Sequence, residues 1–215
     1  MFDYIRDPAE IYEKSFAAVR AEADLSGFAP GEAEIAVRLI HACGMPDIAS
    51  DLVFGGPRDC DAAGAGRQAL SDGAVVLADV EMVVRGIIRD RLPAANEVIC
   101  TLHDEGVREA AAEKGVTHSA AAVELWRDDL AGSVVAIGNA PTALYRLLEL
   151  IEDGAPPPAL VCAFPVGFIG AAESKESLIE HAPALGESGG LPFITLRGRR
   201  GGSALAAACI NALAA

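Results

Sequence analysis

The 215-residue chain is 52% hydrophobic and carries a formal net charge of −14. A charge of that sign offers no field for covering phosphates or anionic headgroups, which argues against nucleic acid and membrane partners. The length suffices for one sizeable core and no charged or low-complexity linker divides it, so a single domain over residues 1–215 is expected.

The opening Met1-Phe2-Asp3-Tyr4-Ile5-Arg6-Asp7 has no apolar signal region, and no stretch reaches the uncharged length of a membrane span. The expectation is a soluble, cytoplasmic protein. Cys43, Cys60, Cys100, Cys162 and Cys209 are odd in number, scattered and mostly within apolar runs, which suits buried thiols in a reducing cytoplasm. Neither a CxxC pair nor a Cys/His metal spacing occurs, so no metal is expected.

Asp7-Pro8-Ala9-Glu10 combines an N-cap acid, a proline at the first helical position and a glutamate at the third, which predicts a helix through about Glu22. Tyr12, Ser15 and Val19 share one of its faces. A second helix is predicted from Gly31 to Cys43, stopped by Gly44-Met45-Pro46. On it Glu34, Arg38 and His41 form a polar stripe while Ile35, Leu39 and Ile40 turn inward. His41 therefore stands in the last helical turn, where the dipole favours the protonated ring, and an imidazole titrates near neutrality. Such a residue can deliver a proton, or can simply cap helix carbonyls.

From there strand-like and helical runs alternate. Strands are predicted at Ala74–Ala78, Glu97–Leu102, Val134–Ile137, Leu160–Phe164 and Pro192–Leu196. Helices are predicted at Glu81–Ile88, Val107–Lys114, Ser119–Leu130, Thr142–Glu152, Ser174–His181 and Ser203–Leu213. This predicts a three-layer αβα fold with a mostly parallel central sheet behind an N-terminal helical section.

In such sheets ligands sit beyond the carboxyl ends of the strands, an edge that gathers Asp79, His103, Gly138-Asn139, Pro165-Val166-Gly167 and Gly198. The glycine-rich loops at Gly138–Thr142, Gly167–Gly170 and Gly198–Ser203 feed helix N-termini, which bind carboxylate or phosphate, although tight turns alone also call for glycine. Asp79 and Glu81 bracket a strand end and could work as a carboxylate pair, although Asp79 reads first as a helix N-cap. Lys175 opens a helix against its dipole and so hints at a ligand. Arg197, Arg199 and Arg200 form a basic cluster that could grip carboxylates, although it reads first as a solvated charge run. His103, His118 and His181 lack metal-ligand spacing. No Walker A loop or Gly-x-Ser-x-Gly elbow exists, and Gly64-Ala65-Gly66 follows no predicted strand and lacks a third glycine, so nucleotide chemistry is unsupported.

Several segments, taken in order, are more specific than any of these features. They include Ile11-Tyr12-Glu13-Lys14-Ser15-Phe16, Ile40-His41-Ala42-Cys43-Gly44, Asn96-Glu97-Val98-Ile99-Cys100-Thr101, Val135-Ala136-Ile137-Gly138-Asn139-Ala140-Pro141-Thr142, Val166-Gly167-Phe168-Ile169-Gly170-Ala171-Ala172-Glu173-Ser174-Lys175 and Gly201-Gly202-Ser203-Ala204. The chain resembles the precorrin-8X methylmutase family from about Asp3 to Leu213.

The resemblance implies an isomerase of cobalamin biosynthesis that moves a methyl group from C-11 to C-12 of precorrin-8X, giving hydrogenobyrinic acid without a cofactor. It places the family's catalytic histidine at His41, acting as general acid, and a substrate-contacting serine at Ser15. It also implies a homodimer with the substrate site near the subunit boundary. The substrate's rim carries many carboxylates, for which Tyr12, Arg38, Asn139 and Lys175 are further candidates. One departure stands out. Where the family shows Thr-Arg-Ser, this chain reads Thr117-His118-Ser119, so His118 and Ser119 are expected contacts without an arginine's bidentate fork. Helix-end placement raising the His41 pKa and burial lowering it are expected to leave it near the operating pH. A tetrapyrrole carrier without turnover is the alternative.

Overall fold

The computed structural model of the protein describes residues 2–57, 60–185 and 190–215. Helix α1 (Pro8–Glu22) opens where the Asp7 carboxylate accepts the Ala9 amide at 3.0 Å, with Pro8 setting the first turn. Helix α2 (Pro30–Cys43) opens with Glu32 reaching back to the Ala29 amide at 3.0 Å. It stops at Gly44, whose φ of 70° suits glycine. Both helices stand where capping residues and apolar spacing predict them. They differ in burial: α1 buries only Val19, whereas α2 buries Ile35, Ala36, Val37, Leu39 and Ile40.

A 3-10 turn over Pro46–Asp51 leads into β1 (Leu52–Gly55), then α3 (Ala62–Ser71), β2 (Val76–Ala78), α4 (Glu81–Gly86) and β3 (Val98–Ile99). There follow α5 (Val107–Lys114), α6 (His118–Val123), β4 (Val134–Ile137), α7 (Pro141–Glu152), β5 (Leu160–Ala163), α8 (Ala171–His181), β6 (Phe193–Leu196) and α9 (Ser203–Leu213). The strands form one sheet in the order β1-β6-β5-β4-β2-β3, parallel throughout except for β1 against β6. Along β4, Val134 and Ala136 pack with α2, α3, α4 and α9 on one face, while Val135 and Ile137 pack with α6, α7 and α8 on the other. Alternate residues thus serve two cores, the reason these strands are apolar throughout. This is the three-layer, mostly parallel arrangement expected from the alternation of runs.

Three elements differ from expectation. Strand β1 has four residues, one of them buried, and ends at Gly55-Gly56-Pro57, so it is too short to print a period. Helix α3 hides behind Gly64 and Gly66, which weaken helical propensity. At Gly66 a side chain would meet Leu160 and Leu213, so the glycine serves close packing inside a helix. The Gly64-Ala65-Gly66 run does follow a strand after all, but lies within α3 rather than in a phosphate-binding turn. The helix expected from Ser119 to Leu130 breaks at Val123 into a 3-10 turn over Glu124–Trp126. There Trp126 Nε1 donates to Thr101 Oγ1 at 3.0 Å.

The reversed first strand decides where the front helices go. Leu52 pairs with Leu196 and Gly55 with Phe193, so β1 begins where β6 ends. The segment leading from α2 into β1 therefore lies at the carboxyl edge of the parallel strands.

Candidate active site

Arg200, in the loop after β6, ties this arrangement together by donating to Asp47 and Asp51 in the 3-10 turn, each at 2.6 Å. It thereby holds the C-terminal end of α2 beside the strand-edge loops. There His41 Nδ1 lies 2.7 Å from Ser15 Oγ on α1. Tyr12 stacks on the imidazole with centroids 5.4 Å apart, and Phe16 meets it edge-on at 5.0 Å. The Arg38 guanidinium sits 5.8 Å from the Tyr12 ring centre. Tyr12, Ser15, Arg38 and His41, from two helices, thus form one cluster. His41 bonds to Ser15 and does not cap the helix; the Ile40 carbonyl instead accepts from Gly44 N.

A serine suits either charge state of the ring. Its hydroxyl can donate to Nδ1 of the neutral imidazole and accept from Nδ1–H of the imidazolium. The His41 pKa lies below the ordinary histidine value, first because burial penalises the charged ring and second because Arg38 repels it. The helix-end effect expected to offset burial does not prevail.

A second group lies along the strand ends. Asp79, after β2, accepts the amides of Gly138, Asn139 and Ala140 at 2.8, 2.9 and 2.9 Å. The expected helix-capping role for Asp79 is corrected by this geometry: Val80 occupies the cap of α4, and the carboxylate instead shapes the loop after β4. Burial pushes the Asp79 pKa up while the backbone donors oppose the shift. Gly138 is required because a Cβ there would meet the Ser203 backbone and Val83. Asn139 is exposed on this loop. His118 and Ser119 open α6 beside it, behind Thr117, whose hydroxyl accepts from Ala120 N at 3.2 Å and donates to Thr142 Oγ1 at 2.7 Å. The His103 ring faces His118, with centroids 6.3 Å apart.

The remaining loops are joined by backbone hydrogen bonds, Val166 N to Asn139 O at 3.4 Å, Gly167 N to Arg199 O at 3.3 Å and Gly202 N to Phe164 O at 2.8 Å. Lys175 stands apart from the other candidates. It is fully buried in α8 and donates to the Arg200 carbonyl at 2.6 Å. Burial pulls its pKa down to about 8, although Asp51 and Glu176 act in the opposite direction. The ammonium holds a loop and does not face solvent.

The family description that matches this chain, over residues 10–215, is precorrin-8X methylmutase. The chain belongs to the precorrin-8X methylmutase family. The precorrin-8X methylmutase of Pseudomonas aeruginosa is 56% identical over 214 residues, covering 100% of this chain and 98% of its own. The cobalt-precorrin-8 methylmutase of Priestia megaterium is 35% identical, over 96% of this chain and 87% of its own. The crystal structure of precorrin-8X methyl mutase from Thermus thermophilus superposes with a TM-score of 0.81 at 35% identity, over 95% of each chain. As a methylmutase the protein is an isomerase, and a further relative is named for cobalamin biosynthesis.

Around the candidate site of this methylmutase, sequence reasoning missed Phe16, the clamp formed by Asp79, and Phe168 against Arg199. Phe16 was recoverable, since it stands four residues after Tyr12 and beside Ser15 on α1. The Asp79 clamp spans 59 to 61 positions, and no local spacing reveals it. No helix among the described residues is long and apolar enough to cross a membrane.

Proposed function

We propose that the protein converts precorrin-8X to hydrogenobyrinic acid by moving a methyl group from C-11 to C-12 of the macrocycle, with His41 as the proton donor. The observation that carries this reading is the 2.7 Å Ser15–His41 hydrogen bond, set between Tyr12 and Phe16 at the ligand edge of the sheet. A proton from the His41 imidazolium draws electron density from the conjugated ring and eases a sigmatropic shift. The C-11–methyl bond breaks as the C-12–methyl bond forms, and His41 recovers the proton when the product tautomerises. Atoms and electrons balance within the substrate, so the shift itself calls for no redox partner.

A pKa held below the ordinary value makes the imidazolium a stronger acid but a scarcer one. A bound polycarboxylate supports the charged ring, because nearby anions favour imidazolium. Arg38, Asn139, His118 and Ser119 are the proposed carboxylate contacts, with Tyr12 against the ring system. Lys175 enters through the Arg200 loop that it holds. The higher identity to a protein named for precorrin-8X than to one named for cobalt-precorrin-8 supports a metal-free substrate. We infer a homodimer from the exposed apolar side chains of the front section, Phe2, Tyr4, Ile5, Ile11 and Tyr12. Free cysteines support a cytoplasmic setting.

The test is the absorption spectrum of precorrin-8X mixed with wild type, His41→Ala or Ser15→Ala. Wild type is expected to generate the hydrogenobyrinic acid spectrum, His41→Ala to be slower by roughly 10² to 10⁴, and Ser15→Ala to fall between them. Binding by wild type without conversion would make the protein a tetrapyrrole carrier. Equal conversion by His41→Ala would leave the reaction standing and remove the proposed acid.

A further inference from the structure

Three arginines follow β6, two of them exposed as a solvated run would be, and the fold gives each a different neighbour. Arg197 pairs with Glu176, and Arg200 is held between Asp47 and Asp51. Arg199 has no acidic partner among the described residues; its guanidinium lies 5.4 Å over the Phe168 ring. Phe168 is itself 83% exposed and the adjoining Ile169 90% exposed. Two large apolar side chains held out in water forgo the burial that normally stabilises such groups, and an exposed apolar patch of this kind marks a contact surface.

Their place is set by the backbone. Gly167 donates to the Arg199 carbonyl, Val166 donates to the carbonyl of Asn139, and Lys175 holds the next carbonyl, that of Arg200. The Phe168 loop and the Arg199 loop therefore form one rim. It borders Asn139 on one side and, through Arg200 with Asp47 and Asp51, the end of α2 that carries His41 on the other.

We propose that Arg199, Phe168 and Ile169 form a substrate subsite, in which the guanidinium takes a peripheral carboxylate and the two apolar side chains lie against the face of the macrocycle. This rests on the reading of the substrate given above. Stacking over an aromatic face leaves the N–H edges of a guanidinium available for a bidentate carboxylate and restricts it to few orientations, which lowers the cost of binding. In a chain of net charge −14, an unpaired cation beside an apolar platform complements a ligand that is apolar across its face and anionic at its rim. The subsite also supplies the arginine fork that His118 cannot.

Calorimetric titration with hydrogenobyrinic acid, and in parallel with its fully methylated ester, tests the assignment. Arg199→Gln is expected to bind the acid about tenfold more weakly than wild type and the ester equally well. Arg199→Lys should recover part of the loss, Arg197→Gln should show none, and Phe168→Ala should weaken acid and ester alike. Arg199→Gln binding the acid like wild type, or losing equally on both ligands, overturns the proposal. So does a Phe168→Ala, Ile169→Ala double variant whose molar mass in solution changes while both affinities hold, since the patch then joins copies of the chain. Failure of wild type to bind the acid at all overturns the substrate reading together with the subsite.

Discussion

His41 gains its chemical character from four neighbours. Ser15 orients the ring, Tyr12 and Phe16 withdraw it from water, and Arg38, one turn earlier on α2, makes a second positive charge costly. The sign of the Arg38 effect can be checked. A general acid loses activity as pH rises through its pKa, so the high-pH limb of kcat/KM reports on His41. Arg38→Gln removes a charge that lowers this pKa and is expected to move that limb upward. A limb that stays in place would show that Arg38 does not tune the acid. The same shift bears on folding: the unfolded chain, with an ordinary imidazole, takes up its proton first as pH falls, so this residue's contribution to stability weakens with acidification. His41 and Arg38 were legible as one polar stripe from their spacing alone. The serine was not, because the bond joins two helices across 26 positions, and only the family resemblance pointed to it.

Loops between strands and helices depend here on single buried charges. Asp79 supplies three acceptor contacts to the loop carrying Asn139, and charge-assisted hydrogen bonds of this kind are among the strong ones. Asp79→Asn places an amide group where donors converge, and is expected to destabilise the protein by about 1–3 kcal/mol and to raise KM. An unchanged melting temperature and KM would contradict that role. Lys175 gives a pH-dependent counterpart. Its folded pKa of about 8 lies below that of the unfolded chain, so the unfolded state binds the proton more tightly. The resulting penalty is fully present below about pH 8 and is relieved as pH climbs toward the ordinary lysine value. Wild type should therefore gain on Lys175→Met between pH 7 and pH 9.5, by up to roughly 2 kcal/mol, when melting temperatures are compared. Parallel curves would refute the shift. Sequence patterns located most helices and five strands because capping residues and apolar runs are local signals. They missed α3, where two glycines answer to packing, and β1, whose pairing partner lies at the far end of the chain.

At the scale of the molecule, alternation of runs foretold a mostly parallel sheet but not its strand order, which depends on contacts between distant segments. Nor did it show that the first strand runs against the rest, the feature that brings the end of α2 to the ligand edge. Exposed apolar residues of the front section are expected to be covered in solution by a second copy, and light scattering should return a mass of two chains; a persistent monomer would rule this out. The pairing of β1 with β6 also sets a timetable. As the chain leaves the ribosome, Leu52–Gly55 has no partner strand until Phe193–Leu196 emerges, and α2 waits longer still for α9, which packs against it. His41, the proposed proton donor, and the strand-edge loops are thus united only once the end of the chain is in place. A nascent or prematurely terminated chain would hold most of the sheet yet lack a working site.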